Sequence, residues 1–299
     1  MNHEDEPLAA LLKANPHITL AYLDHNSDPH TLHIHFAPSH TPTALLHRQL
    51  FPFTKTIYHI GPFFHDLRTR QIPATPTNIH QKCQNEPIHL GTQVQPAGAN
   101  WVGTAGSPIS WTDPDGKRHW GFLSNYHVLV PTDALPGHAI HQPDTRSPPI
   151  ARLSKALAPS PTRPNYVDAA LADTLCEGYH TTAWSILDLP PIDHSPKDAV
   201  PNEAVTKVGR TSARTDARCK AIGAAVRVSY GNYTAAFVDQ DLYEDTDAPF
   251  SAPGDSGSLI LNKACNCPTS LLFAGGANLT VGNPIRHVLK AFNATFDPN

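Results

Sequence analysis

Gly254-Asp255-Ser256-Gly257-Ser258 is the stretch that decides how this sequence is interpreted. Its two glycines leave the backbone around Ser256 free to turn tightly, and they let a carbonyl group approach closely. Such a turn exposes the Ser256 hydroxyl and aims backbone N–H groups at one point. A serine hydroxyl is a poor nucleophile until a base takes its proton. The stretch therefore predicts catalysis only if a histidine and a carboxylate accompany it.

Candidates for both partners lie earlier in the chain. His127 follows a predicted strand within the segment LSNYHVL, and Asp168 lies in the apolar run 166–172. A buried carboxylate needs a partner to offset its desolvation, and a histidine N–H is suitable. Asp173 is the alternative carboxylate. Strand alternation places it on the opposite face from Asp168, which favours Asp168.

Length and charge limit the classes of protein that this chain can belong to. Its 299 residues can bury a large core, and the length suggests about two domains. The net charge is −4 and the Lys and Arg residues are scattered, which argues against nucleic-acid binding. No apolar run reaches the roughly 20 residues that a membrane span needs. The acidic first residues are not followed by a long apolar core, so we expect no secretory signal.

Cysteine is sparse and odd in number, with residues Cys83, Cys176, Cys219, Cys265 and Cys267. Secreted disulfide-rich domains usually show an even count in a short chain. We therefore expect reduced thiols and a cytoplasmic protein. Cys265 and Cys267 are predicted to be thiols in a surface loop, because no second Cys/His pair stands at the spacing of a metal site.

Residues 1–72 alternate helical and strand patterns, which predicts a small α/β N-terminal domain. Leu8, Leu11 and Leu12 suit one face of a helix that ends before Pro16. The remaining predicted elements are strands at 18–23, 31–36 and 56–60 and a helix at 43–50. Residues 73–87 are polar and proline-rich, which is typical of a linker.

Residues 88–299 show short β-type runs separated by Gly, Pro and Asp. Asp113-Pro114-Asp115-Gly116 predicts a hairpin between runs at 101–111 and 118–124. Further strands are predicted at 166–172, 205–209, 221–230, 233–240, 259–261 and 271–274, and a last helix at 284–292. Eight prolines between 131 and 164 favour a surface loop over a strand. Many short strands favour an all-β barrel or sandwich.

These segments together resemble the chymotrypsin-like serine endopeptidases, over roughly residues 88–294. The chain is most similar to the intracellular, disulfide-free trypsin-like peptidases of bacteria and to related plant proteins of the narrow-leaf type. The similarity lies in LSNYHVL at 123–129 and GDSGSL at 254–259, with GTAG at 103–106, KVGRT at 207–211, LFAG at 272–275 and NPI at 283–285. The resemblance implies a mainly β protein with a chymotrypsin-like double β-barrel, preceded by the small α/β domain.

The resemblance also implies a mechanism for cutting protein or peptide substrates without a cofactor or metal. Ser256 would attack the scissile carbonyl, and His127 would take its proton and return one to the leaving amine. Asp168 would orient His127 and stabilise its cation. The backbone N–H groups of Gly254 and Ser256 would form the oxyanion hole.

The predicted substrate pocket departs from that of trypsin. Phe250 stands six residues before the nucleophile, where trypsin has an acid. This argues against an Arg/Lys preference, although Asp247 or Glu244 could compensate if the loop differs. The pocket residues expected from the resemblance are Phe250, Ala274, Gly275 and Gly276. The two glycines suggest an open pocket that admits a large hydrophobic side chain at P1, the residue whose carbonyl is attacked.

Two features leave the control of the site open. In extracellular relatives, cleavage creates a new N-terminal amine that pairs with the aspartate just before the catalytic serine. In this chain either Asp255 has another partner, or the activation of the enzyme is controlled differently. The N-terminal domain is expected to recruit a protein partner or to restrain the protease. Within it, His33 and His35 lie on one face of a strand. They are either solvated surface residues, which we favour, or part of a metal or pH-sensing site.

The sequence therefore predicts an intracellular serine endopeptidase. Two alternatives remain: a catalytically silent scaffold of the same fold that binds protein partners, and an esterase of that fold.

Overall fold

A computed structural model describes residues 5–25, 27, 30–38, 55–60, 64–70, 72, 75–82, 89–175 and 185–296. The fold is mainly β, as predicted. The strands are β1 (Ile18–Asp24), β2 (Thr31–Phe36), β3 (Lys55–Ile60), β4 (Phe64–Asp66), β5 (Thr92–Pro96), β6 (Gly103–Ala105), β7 (Ser107–Thr112), β8 (Arg118–Ser124), β9 (Ala139–His141), β10 (Pro149–Leu157), β11 (Ala169–Thr174), β12 (Ala204–Gly209), β13 (Ala213–Ser229), β14 (Thr234–Asp245), β15 (Leu259–Asn262), β16 (Pro268–Gly276), β17 (Leu279–Pro284) and β18 (Ala294–Thr295). The α-helices among these residues are α1 (Asp5–Ala14), α2 (Tyr126–Leu129) and α3 (Ile285–Phe292).

The strands form two sheets, each curled around its own core. The first has the order β18-β7-β8-β11-β10-β9-β5-β6. It encloses large apolar side chains that include Trp111 and Phe122. The second runs β12-β15-β16-β17-β14-β13, and an additional pairing of β12 with β13 closes these six strands into a barrel. Its core includes Phe237 and Phe273. The predicted double β-barrel is confirmed.

The N-terminal strands extend the second sheet. β1 pairs antiparallel with β13, β2 pairs with β1, and β3 runs parallel to β2. Leu8, Leu11 and Leu12 of α1 are buried against one face of this extension. The helix and the three strands predicted for this region are confirmed. The helix predicted at 43–50 lies outside the described residues, and the division of the chain into domains stays a prediction.

Part of the predicted linker packs onto the barrels. Ile79–Gln81 forms one 3-10 turn. Within it, the His80 ring is buried, with Nδ1 3.0 Å from the Gly91 carbonyl oxygen and Nε2 3.0 Å from the Asp188 carboxylate.

Two expectations about single segments are wrong. The proline-rich stretch contains β9 and β10. Neither strand has a proline in its interior. Pro149 occupies the first position of β10, where the missing backbone N–H costs little. Cys265 and Cys267 form a disulfide instead of two thiols. Buried Cys219 is a free thiol, whereas Cys83 and Cys176 lie outside the described residues. The cytoplasmic location, which was inferred from reduced thiols, stays a prediction.

The favoured expectation of solvated histidines also fails, because His35 is buried. The His35 ring stacks on His59 at 4.4 Å between centroids, and His33 Nδ1 lies 2.9 Å from His59 Nε2. In the described part of the chain no group of three or more His, Cys, Asp or Glu side chains could hold a metal ion. That part also contains no helix with the length and apolar character of a membrane span.

Candidate active site

The three predicted catalytic residues meet between the two barrels. His127 lies in the short helix α2, which begins two residues after the end of β8, and Asp168 lies immediately before β11. The pairing of β8 with β11 sets Ser124 opposite Ala170 and so brings the ends of these two strands together. Ser256 comes from the second barrel, in the turn before β15.

The side chains form one hydrogen-bonded row. The Nδ1 atom of His127 lies 2.6 Å from the Asp168 carboxylate, and its Nε2 atom lies 2.8 Å from the Ser256 hydroxyl oxygen. All three residues are at least 97% buried. Asp173, the alternative carboxylate, instead lies 2.9 Å from Nδ1 of His119. The arrangement allows a proton to pass from Ser256 to His127 while Asp168 stabilises the resulting cation.

Asp168 has further donors that hold it in place. The Tyr230 hydroxyl donates to its carboxylate at 2.6 Å, and the His127 backbone N–H donates at 3.3 Å. Asn283 accepts the Asp168 backbone N–H at 2.9 Å. Burial raises the pKa of Tyr230 well above its usual value, and the Asp168 charge adds to this, so the tyrosine stays a neutral donor. Sequence analysis missed Tyr230, because only the pairing of β13 brings this strand end to Asp168.

The turn around Ser256 requires its glycines. Gly254 and Gly257 have φ values of +111° and +97°, in the region that favours glycine. A Cβ atom at Gly254 would lie 2.2 Å from the Thr211 hydroxyl oxygen, and one at Gly257 would lie 2.2 Å from the Thr104 carbonyl oxygen. The turn aims the N–H groups of Gly254 and Ser256 at one acceptor, the carbonyl oxygen of Leu67.

Asp255 is held by a buried network of residues from within the chain. Its carboxylate lies 3.2 Å from the ammonium group of Lys207, and both side chains are fully buried. It also accepts the N–H groups of Thr211 at 2.8 Å and Ala252 at 3.0 Å. Burial lowers the pKa of Lys207, and the charge of Asp255 opposes this shift. The sequence places Lys207 in the segment KVGRT, but nothing in the segment indicates this pairing.

Of the four predicted pocket residues, Phe250 and Gly275 are the two that the structure relates to the side chain of Leu67. The Leu67 side chain packs in an apolar cluster with Phe250, which is fully buried. A Cβ atom at Gly275 would lie 2.9 Å from Leu67 Cδ1. Ala274 pairs with Asp66 of β4, whereas Gly276 pairs with Leu279 at the end of β16.

The two acids that could have compensated for Phe250 lie elsewhere. Glu244 pairs with Lys220 at 3.1 Å, and Asp247 is exposed.

Solved structures that are similar to this chain include serine proteases. One similar structure is that of a glutamic acid specific serine protease, which utilizes a novel histidine triad in substrate binding. The similarity covers 70% of this chain and 99% of that chain. The two share 16% identity with a TM-score of 0.50. Cellulomonas bogoriensis chymotrypsin and the alpha-lytic protease homolog N4 are each 16% identical, with TM-scores of 0.48 and 0.49. They cover 71% and 70% of this chain and 99% of their own chains.

No protein-family model matches the sequence, and no curated protein is similar enough to count as a relative. The similarity to the intracellular bacterial subgroup stays a prediction. At 16% identity the first of the solved structures shows the fold alone. The chain therefore has the chymotrypsin-like double β-barrel fold.

Proposed function

We propose that this protein is a serine endopeptidase, with Ser256 as nucleophile, His127 as general base and acid, and Asp168 as the residue that orients His127. The observation that carries the proposal is the position of the His127 ring, 2.6 Å from Asp168 on one side and 2.8 Å from Ser256 on the other. A serine held in this way is activated for attack on a carbonyl carbon.

The reaction follows the usual order for such a row of residues. His127 takes the proton of Ser256 as its oxygen attacks the carbonyl carbon, and the N–H groups of Gly254 and Ser256 stabilise the oxyanion. The leaving amine then takes the proton from His127. A water molecule hydrolyses the acyl-enzyme by the same steps in reverse.

We also propose that the enzyme prefers a large hydrophobic P1 residue. The cluster of Leu67 with Phe250 supports this preference, as does the closeness of Gly275 to the leucine side chain. An acid at the pocket base would instead favour Arg or Lys. Cleavage of a peptide library dominated by Arg or Lys at P1 would refute the preference.

A fluorophosphonate probe tests the nucleophile. We expect it to label the wild-type protein and to fail with Ser256→Ala and His127→Ala. Labelling that survives in Ser256→Ala overturns the proposal, and a wild-type protein that is never labelled favours the silent scaffold. Comparison of peptide with simple ester substrates separates an endopeptidase from an esterase of this fold.

A further inference from the structure

The chain's own residues 64–69 cross the cleft between the barrels as an extended segment. On one side β4 pairs antiparallel with Ala274 and Gly275 of β16. On the other side Thr69 and Val102 exchange two backbone hydrogen bonds, of 3.0 and 2.8 Å. Backbone pairing of an extended peptide to a strand edge is a common mode of peptide recognition. The segment is therefore bound on both sides of Ser256 in the manner of a peptide ligand.

Leu67 lies at the centre of this segment, beside the nucleophile. Its backbone N–H points to the Ser256 hydroxyl oxygen at 3.0 Å and to the Phe273 carbonyl oxygen at 3.4 Å. Its carbonyl oxygen accepts the N–H groups of both Gly254 and Ser256. These are the two donors predicted to stabilise an oxyanion, so the Leu67 carbonyl occupies the position of a scissile carbonyl.

The side chain of Leu67 fills the predicted P1 pocket. It is 7% exposed and packs in the cluster that contains Phe250. Burying a leucine side chain stabilises the bound segment relative to leaving that side chain in water. Both the backbone and the side chain of Leu67 thus match the P1 position.

The next residue, Arg68, is fixed on the leaving-group side. Its guanidinium group pairs with Asp66 at 3.1 Å and lies 4.7 Å from the centroid of the Trp101 ring. It donates to the backbone carbonyl oxygen of His127 at 3.3 Å and to that of Tyr230 at 3.4 Å. The Arg68 side chain is therefore fixed against the backbone of His127 and Tyr230, and its backbone N–H points to the Asp66 carboxylate at 3.4 Å.

The site is assembled while the segment is intact. The buried Lys207 ammonium group already pairs with Asp255, and the Gly254 and Ser256 donors already share an acceptor. No new chain terminus is needed to form the oxyanion hole.

We propose that the Leu67–Arg68 peptide bond is a self-cleavage site of this protein, an inference that rests on the proposed function. Ser256 Oγ forms an ester bond with the Leu67 carbonyl carbon and passes its proton to His127. The Leu67–Arg68 bond breaks, and the Arg68 amine takes that proton. Water then hydrolyses the ester, which leaves a carboxylate at Leu67 and restores Ser256. Until this cut, residues 64–69 exclude other substrates from the cleft.

Mass spectrometry of the freshly purified full chain tests the proposal. We expect two fragments that end at Leu67 and begin at Arg68, with a half-time that does not change over a hundredfold range of protein concentration. Ser256→Ala should stay intact. The rate of fluorophosphonate labelling should rise as the intact chain disappears.

Substitutions within the segment provide the controls. Leu67→Asp should stay uncut but label at once, because a carboxylate in the apolar pocket expels the segment. His65→Ala, at an exposed position of the same strand, should be cut like the wild type. Leu67→Met keeps an apolar side chain at P1 and should also be cut. This variant tests the role of position 67 even if Leu67→Asp misfolds.

The outcomes separate the two proposals. A wild-type chain that stays intact while Leu67→Asp is labelled overturns self-cleavage and leaves the protease proposal standing. If neither protein is cut or labelled, the proposed function fails.

Discussion

The ammonium group of Lys207 lies 3.2 Å from the carboxylate of Asp255, and both side chains are fully buried. Because Asp255 precedes Ser256, this ion pair holds the turn that aims the Gly254 and Ser256 N–H groups. Removing one member of a buried pair leaves the other charge without compensation, which is more costly than losing the attraction itself.

Lys207→Met should therefore destabilise the protein by about 3–5 kcal/mol. We expect the surviving folded protein to react more slowly with the fluorophosphonate probe, because the oxyanion hole is distorted. Urea unfolding measures the stability. Lys263→Met is the matched control, since its ion pair with Asp216 is nearly half exposed and should be worth at most about 1 kcal/mol. If Lys207→Met and Lys263→Met lowered the free energy of unfolding equally, the structural role of Lys207 would be contradicted.

Tyr230→Phe should lower kcat about 10- to 100-fold, because a hydrogen bond to a charged group contributes roughly 1.5–3 kcal/mol. The fold should persist, since only the hydroxyl that donates to Asp168 is lost. Peptide hydrolysis measures the effect in a Leu67→Asp background, where the chain's own segment does not compete. Tyr233→Phe is the control on the ring stacked against Tyr230. An unchanged kcat in Tyr230→Phe would exclude Tyr230 as a positioning residue.

Gly275→Val should narrow the P1 pocket. A Cβ atom at this position would come within 2.9 Å of the Leu67 side chain. In the Leu67→Asp background, we expect kcat/KM for a peptide with leucine at P1 to fall about 10²-fold relative to one with alanine. Steady-state kinetics with the two peptides measures the ratio. If Gly275→Val leaves the ratio of the two kcat/KM values unchanged, the P1 pocket lies elsewhere.

The stacked histidines His33, His35 and His59 should make stability depend on pH. Burial lowers the pKa of His35 to about 4 and also lowers the pKa of the other two. The unfolded chain, with histidine pKa values near 6.5, then binds more protons than the folded chain. This stability is present above about pH 6.5 and is lost as the pH falls towards 4. The other titratable groups near the histidines are Tyr22, Asp24, Lys55 and Lys220.

Urea unfolding at about pH 5 and pH 7.5 tests this dependence. Neither ring nitrogen of His35 has a hydrogen-bond partner in the described part of the chain. His35→Phe keeps the stacked ring without the titratable group, so it should reduce the difference in stability between the two pH values. If the stability of His35→Phe differed between the two pH values as much as that of the wild type, His35 would be ruled out as the source of the pH dependence.

Local sequence was sufficient to predict the strands next to the three catalytic candidates, β8, β11 and β15, but not the short helix α2 that carries His127. The glycines around Ser256 permit the predicted tight turn, and Asp113-Pro114-Asp115-Gly116 forms the predicted hairpin between β7 and β8. The apolar run at Asp168 indicates burial directly.

The contacts that complete the site depend on distant pairings. β4 is only three residues long, and its partners lie in β13 and β16, far along the chain. Nothing in FHDLRT indicates that Leu67 lies beside Ser256 and packs in the cluster that contains Phe250. Tyr230 and Lys207 resemble ordinary strand residues until the closed second barrel brings them to Asp168 and Asp255.

The most direct test of Ser256 as the nucleophile is hydrolysis of a peptide with leucine at P1 and arginine after it. The comparison uses Leu67→Asp and the double variant Leu67→Asp/Ser256→Ala, so that the cleft is open in both proteins. We expect the loss of Ser256 to lower kcat roughly 10⁶-fold. Equal rates of hydrolysis in the two proteins would contradict the account.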